Sequence, residues 1–484
     1  MNLRGVAFLL ARLLMVLGVT LLVPAGVAWF HESEGLIPFL ATAGLAGIGG
    51  FVLQRLFRQG PDFRFGRREA FVLVSAAWVT ASCVGALPYI LIKGPAFAVD
   101  GLFESASGFT TTGASILTDI EAESAGLLLW RSLTHWLGGM GIIVLGIAIL
   151  PKLNVGGMEL LGAEAPGPMT EKLTPRIAQT AKALWAIYAL FTAAEAGALI
   201  ALGMSPLEAV NQAFATMATG GFSTRNASIA GFGSPAIEMV VVLFMMVAGA
   251  NFALHFQLLR GKPRRFLRDS EFRFYVGALA GGTLFLAADL LFHGTEESVL
   301  SALRLASFQV TAIVTTTGFA TADFDLWPHF SRVLLFLMMF VGGCAGSTGG
   351  SVKVVRVMIV AKKLIVDLKR LVQPHAILPV RVGRRAIPED VVTSVTTFFL
   401  LFLTTFAAGG LVLSMMGLDM VSAFSASAAS LGNIGPGFNL VGPTQTYAPL
   451  PVPAKIVLVV MMIVGRLELY TMLVLIFLWK RVKG

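Results

Sequence analysis

The chain has 484 residues, 56% of them hydrophobic and 13% charged, with a mean hydropathy of +0.81, whereas soluble domains carry about 25% charged residues. So few polar side chains cannot cover a water-facing surface, which excludes an ordinary soluble enzyme and predicts an all-α polytopic membrane protein. The formal charge of +9, from 36 Lys and Arg against 27 Asp and Glu, must be placed along the chain before it implies a partner.

In chain order, the first apolar run, 6–30, exceeds the roughly 20 residues that cross a bilayer. It is too long for a signal-peptide core and no small-residue cleavage site follows it, so it reads as a retained span. The second run, 36–56, ends at a stretch holding Arg55, Arg58, Arg64, Arg67 and Arg68 against the single acid Asp62. These two spans predict an amino-terminal hairpin, 1–66.

One unit then recurs four times, over 67–155, 156–262, 263–375 and 376–484. Its long apolar segments fall at 69–92 and 126–150, 177–203 and 236–259, 272–293 and 329–351, and 391–417 and 453–479. Between them lie shorter, more polar segments at 99–111, 206–219, 297–315 and 419–432. Too short to cross, these read as re-entrant half-helices, which a membrane tolerates where the following loop lines a water-filled path or is buried in protein. The count is ten spans and four half-helices.

Charge tests this topology independently. The connections 260–273 (Arg260, Lys262, Arg264, Arg265, Arg268, Arg273) and 353–385 (nine Lys and Arg against Asp367) belong in the cytoplasm by the positive-inside rule. Alternate connections are acidic, with Glu32 and Glu34, then Asp119, Glu121 and Glu123, then Asp323 and Asp325. Both termini therefore fall in the cytoplasm and all four half-helix turns on the outer side. The basic balance is explained by topology, with lipid headgroups as its partner and no nucleic acid. Cys83 and Cys344 are too few and too far apart in sequence for a disulfide framework or a metal site.

The turns after the half-helices read FTTTGAS, ATGGFST, TTTGFAT and GNIGPGF, and they superpose Gly113, Gly221, Gly318 and Gly435. Partly dehydrated K⁺ needs several oxygen ligands, and main-chain carbonyls from four converging loops supply them without fixed charge. Glycine permits the backbone angles that turn successive carbonyls toward one axis. The expected ligands are the carbonyls of Thr111, Thr112 and Gly113; Thr219, Gly220 and Gly221; Thr316, Thr317 and Gly318; and Asn433, Ile434 and Gly435. The simpler reading, turns that merely close helical hairpins, does not explain why the loops lack charge while Asp119, Glu121, Glu123, Asp323 and Asp325 lie just outside, placed to concentrate cations. An anion path would need Lys or Arg, and Arg225 alone is near.

On these four turns the chain resembles the TrkH-type subunits of the Trk/Ktr/HKT superfamily of potassium transporters, over essentially its whole length. The resemblance implies a helix, pore-helix, filter, helix unit repeated four times about a pseudo-fourfold axis, with Gly113, Gly221, Gly318 and Gly435 as filter glycines. The fourth turn departs from the Thr-rich pattern, which bears on selectivity against Na⁺. The resemblance also implies a homodimer in a bacterial cytoplasmic (inner) membrane, and a cytosolic TrkA-like nucleotide-binding ring. Nucleotide, whether ATP, ADP or NAD, would act only through that ring, and no cofactor is covalently bound. Positive-inside anchoring is the plainer account of the basic surface.

In the third unit five of the ten residues from Val341 to Gly350 are glycine, each penalised by up to about 1 kcal/mol in a helix. This predicts a loop inside the membrane made by Gly342, Gly343, Gly346, Ser347, Thr348, Gly349, Gly350 and Ser351, followed by a basic amphipathic helix. The rival reading is GxxxG helix packing through Gly342 and Gly346. The resemblance makes the loop a gate beneath the filter, and Arg466, within the last span, a pore-lining latch; the alternative for Arg466 is a pair with Glu468. His135 is expected to make an intramembrane polar contact only.

Two other functions compete. A symporter coupling K⁺ to H⁺ or Na⁺ needs titratable groups near the midplane, and the spans offer mainly Glu195, Asp289, Arg466 and Glu468. A weakly selective K⁺/Na⁺ channel is the nearer variant. An enzyme is not expected, since no HExxH, GxSxG or nucleotide-binding loop occurs.

Overall fold

The structure is a computed structural model that describes residues 2–31, 34–58, 66–148, 173–376, 378–383 and 385–469. Helices α1 (Leu3–Thr20) and α2 (Leu22–Phe30) form one span, and α3 (Leu36–Leu56) returns beside it. Glycines permit this pairing: a Cβ on Gly18 would lie 2.9 Å from the Ala43 oxygen and one on Gly50 2.7 Å from that of Ala11. Small residues let backbones approach closely where lipid gives no hydrophobic drive for helices to associate.

The next helices are α4 (Arg67–Lys93), α5 (Ala98–Phe109), α6 (Ala125–Ala148), α7 (Leu173–Ala201), α8 (Pro206–Met217), α9 (Pro235–Gly249), α10 (Phe252–Leu259) and α11 (Pro263–Arg268). They are followed by α12 (Ser270–Phe292), α13 (Val299–Val314), α14 (His329–Met338), α15 (Val354–Val372), α16 (Glu389–Met415), α17 (Met420–Leu431) and α18 (Val452–Arg466). A two-residue hairpin, β1 (Arg381–Val382) with β2 (Arg385–Ala386), precedes α16. Among the described residues six helical segments are long and apolar enough to cross a membrane, or seven if α9 and α10 count as one broken span.

The short helices have sequence-encoded starts. Ser205 caps α8, accepting from the Glu208 N–H, with Pro206 at the first helical position, where its missing N–H costs nothing. Asp419 caps α17, accepting from the Val421 and Ser422 N–H groups. One apolar cluster joins the amino-terminal hairpin to α5, α6 and α18 through Leu17, Phe39, Phe103, Trp130, Tyr447 and Leu458.

Three long segments depart from expectation. The segment 236–259 is not one straight helix: α9 and α10 meet at 102° across Ala250 and Asn251. Asn251 caps α10 by accepting from the Ala253 N–H. The segment 329–351 is helical only to Met338, so the chain is non-helical three residues earlier than the glycine run demands. Helix α18 ends at Arg466, and the far part of 453–479 lies outside the described residues, as do the 155/156 boundary and the carboxyl terminus.

Candidate functional site

Helices α5, α8, α13 and α17 end in the same way. Thr112, Gly220, Thr317 and Ile434 each donate their N–H, at 2.8 Å, to the carbonyls of Ser107, Ala215, Ala312 and Ala429, the six-to-one bond of a Schellman cap. That cap needs a left-handed residue one position earlier, where glycine is usual. Here the residues are Thr111, Thr219, Thr316 and Asn433, with φ of 53°, 54°, 60° and 54°. Asparagine visits this region readily, but β-branched threonine is an outlier, and strain of this kind, about 1–3 kcal/mol per residue, persists only where the surroundings impose it.

Two residues later φ is positive again, at 80° for Gly113, 84° for Gly221, 74° for Gly318 and 99° for Gly435. This alternation aims successive N–H groups to one side and the intervening carbonyls to the other. The loops meet in sequence. A Cβ on Gly113 would fall on the Gly220 oxygen, one on Gly221 on that of Thr317, and one on Gly318 on that of Ile434. One on Gly435 would lie 2.6 Å from the Thr112 oxygen. First meets second, second third, third fourth and fourth first, so the loops close a circle.

Two pairs of side-chain hydroxyls in the first and third turns are used locally. Thr110 and Thr315 donate to the Ala106 and Thr311 carbonyls at 2.6 Å, and each meets the hydroxyl of Thr112 or Thr317 at 2.8 Å. The main-chain carbonyls are not. Of the twelve from Thr111–Gly113, Thr219–Gly221, Thr316–Gly318 and Asn433–Gly435, only that of Gly435 accepts a hydrogen bond among the described residues. Main-chain carbonyls in protein interiors are nearly always paired, so eleven without a protein donor on one circle leave oxygens free to coordinate a ligand.

Behind the circle stand residues that the sequence reading missed. Glu104 accepts from Arg131 Nε at 2.8 Å, from the Ile116 N–H at 2.9 Å and from Ser115 Oγ at 2.9 Å. Arg131 also donates to the Ser223 carbonyl at 3.1 Å and lies 4.2 Å over the Phe222 ring. The pair is almost wholly buried, and removing one member of such a pair costs about 3–5 kcal/mol. Gln212 Nε2 donates to Ser223 Oγ at 2.8 Å and Gln309 Nε2 to the Phe319 carbonyl at 3.3 Å. Glu104, Gln212 and Gln309 each precede their turn glycine by nine positions. That spacing is a readable signal; in the fourth unit Ala426 holds the place, and Ser425 Oγ accepts from the Phe438 N–H at 2.9 Å.

Arg225 is therefore not the sole cation near the loops, although both arginines are neutralised, Arg225 by Glu208 at 2.7 Å. The outer acids also serve as loop ties. Asp119 and Glu121 accept from Asn226, Glu123 pairs with Lys93 at 2.6 Å, and Asp323 accepts from Thr444. Asp325 accepts from the Asn439 N–H at 2.7 Å; burial pushes its carboxyl above the ordinary range, against the pull of that N–H and of Arg332. His135, expected to make a polar contact, stacks on Phe222 at 4.1 Å and backs Gly220.

Residues 339–353 form an irregular loop under the circle, which displaces the helix-packing reading of Gly342 and Gly346. Its neck closes through the Gly342 N–H to the Val352 carbonyl at 2.7 Å and the Val354 N–H to that of Gly343 at 3.1 Å. It fills the break between α9 and α10, donating from the Cys344 N–H to the Gly249 carbonyl while Gly346 accepts from the Phe252 N–H. The Gly350 N–H donates to Thr316 Oγ1 at 2.6 Å, and Thr348 Oγ1 to the Met217 carbonyl at 3.1 Å. Ser351 Oγ donates to the Met339 carbonyl at 2.6 Å, Ser347 is buried, and Gly349 accepts from Lys353 Nζ. A Cβ on Gly350 would strike the Gly432 oxygen. Arg466, also buried, donates to the Thr348 carbonyl at 2.8 Å and to that of Gly138 at 3.4 Å. Glu468 instead pairs with Arg356 at 2.5 Å.

The TrkH family, described as a cation transport protein, matches residues 49–480. The chain is 40% identical to the Trk system potassium uptake protein TrkH of Salmonella typhimurium over 479 residues, 98% of each chain. It is 32% identical to TrkG of Escherichia coli over 485 residues, 99% of each. The crystal structure of the potassium transporter TrkH from Vibrio parahaemolyticus matches with a TM-score of 0.90 and 38% identity, covering 98% of each chain.

Proposed function

Because this chain belongs to the TrkH family of cation transport proteins, we propose that it takes up potassium through a pore on the axis of the four loops. The observation that carries this reading is the closed circle with eleven carbonyls that accept no hydrogen bond among the described residues. K⁺ entering from the outer side exchanges hydration oxygens for those carbonyls. Helices α5, α8, α13 and α17 direct their carboxyl ends at the same place, and the negative end of each helix dipole favours a cation there.

Below the circle, the loop from Gly342 to Ser351 obstructs the path. Arg466 holds it closed and opposes a cation by its charge. Opening moves the loop and the Arg466 contact together, under a cytosolic nucleotide-binding ring of the TrkA type. The surrounding architecture is a hairpin plus four units with pseudo-fourfold symmetry and ten spans. The protein is a homodimer in a bacterial inner membrane with both termini in the cytoplasm.

Purified protein in a planar bilayer, with opposed K⁺ and Na⁺ gradients, tests the reading. The current is expected to reverse near the Nernst potential of K⁺. A reversal that moves with the H⁺ or Na⁺ gradient indicates coupled symport, and absence of current contradicts the pore.

A further inference from the structure

One carbonyl of the circle differs from the other eleven. Gly435 accepts a hydrogen bond from the Tyr447 hydroxyl at 2.7 Å, and the tyrosine is buried. Its main-chain N–H donates to the Ser115 carbonyl at 2.9 Å, two residues beyond Gly113, and its ring packs on Phe103 of α5 at 5.4 Å. Tyr447 is thus anchored on the first unit while its hydroxyl reaches the fourth, across the seam where the circle closes.

The seam joins a turn that stiffens itself to one that does not. The first and third turns stiffen themselves through the hydroxyl pairs Thr110 with Thr112 and Thr315 with Thr317. The fourth has Gly432 and Ile434 in those places, neither with a hydroxyl. Asn433 Nδ2 bonds Thr112 Oγ1 at 3.0 Å across the same seam and the Met462 carbonyl at 2.9 Å, but neither bond touches the glycine carbonyl.

We propose that Tyr447 is the positioning residue that fixes the Gly435 carbonyl on the circle and thereby sets discrimination of K⁺ against Na⁺. The inference rests on the pore reading above. A layer of carbonyls rejects the smaller ion when its oxygens cannot draw inward and when their field is moderate. A hydroxyl donor does both at Gly435: it holds the oxygen toward the tyrosine and withdraws electron density from it. A carbonyl oxygen has two lone pairs, so it can bond Tyr447 and an ion together.

The test is the reversal potential of the full-length protein in a bilayer with K⁺ on one side and Na⁺ on the other. Tyr447→Phe keeps the ring and loses the donor. It is expected to conduct with a K⁺/Na⁺ permeability ratio about three- to tenfold lower, the change that losing one ordinary hydrogen bond brings. Conduction with the unaltered ratio overturns the proposal. Should the phenylalanine variant pass no current, 3-fluorotyrosine placed at 447 alone decides, because it keeps the fold and strengthens the donor. A raised ratio then supports the proposal and an unaltered one overturns it. Absence of cation current in the unmodified protein would overturn both this inference and the pore reading, whereas unmodified current with an unaltered variant ratio overturns this inference alone.

Discussion

Gly318→Ala is expected to lower potassium uptake by at least about tenfold while leaving the protein in the membrane. Gly318 has φ of 74°, where a side chain costs about 1–2 kcal/mol of stability; the loss of uptake comes from the clash, since about 1.4 kcal/mol added to the barrier on the ion path is a factor of ten in rate. The new Cβ would fall on the Ile434 oxygen and lie 2.8 Å from Pro436 Cδ, and neither a carbonyl on the circle nor a proline ring can rotate away. Because Ile434 O is itself a proposed ligand, the displacement removes an oxygen from the ion path. Gly94→Ala is the control, since Gly94 has φ of 94° with nothing within 4 Å of its Cβ position. It also places a side chain at positive φ but without the clash, and uptake is expected to persist. Rubidium uptake in cells lacking other potassium systems, normalised to membrane protein, measures both; full uptake by Gly318→Ala would contradict the role of the circle.

Arg466→Ala is expected to raise the basal potassium flux about tenfold in the absence of any cytosolic partner. The guanidinium holds the Thr348 carbonyl through a hydrogen bond to a charged group, worth about 1.5–3 kcal/mol, and its removal also takes a positive charge from beneath the carbonyls. The substitution does not strand an anion, because Glu468 is held by Arg356. Arg466→Lys keeps the charge but cannot span Thr348 and Gly138 as a fork does, so an intermediate flux is expected. Flux from liposomes loaded with potassium reads this directly, and a flux unaltered in Arg466→Ala removes the residue from the gate.

Much of this arrangement was legible in the sequence, for particular reasons. The turn glycines align because each loop needs a residue without Cβ beside a neighbour's carbonyl, and that demand leaves a visible letter. The loop at 342–351 was legible because five glycines in ten residues cannot make a stable helix.

What escaped depended on partners far apart in the chain. Threonine at a left-handed position contradicts propensity, and only the cap geometry of Thr111, Thr219 and Thr316 reveals it. The break between α9 and α10 is marked in the sequence only by Gly249 and Asn251, because the hydrogen bonds that satisfy it come from Cys344 and Gly346, nearly a hundred residues on. The outer acids look like free charge in the sequence, which does not show that Asn226 and Thr444 tie them. The role of Arg131 is hidden in the sequence because its partner Glu104 sits on a different helix, although the nine-residue spacing that Glu104 shares with Gln212 and Gln309 is visible there.

The account depends on an alkali cation resting among the four turns. Diffraction from crystals grown in thallium(I), a heavy surrogate for K⁺, tests this most directly. The expected result is anomalous density on the axis, within coordination distance of the carbonyls around Gly113, Gly221, Gly318 and Gly435 and diminished by excess K⁺. Thallium bound elsewhere, with an empty axis in crystals that conduct when reconstituted, would contradict it.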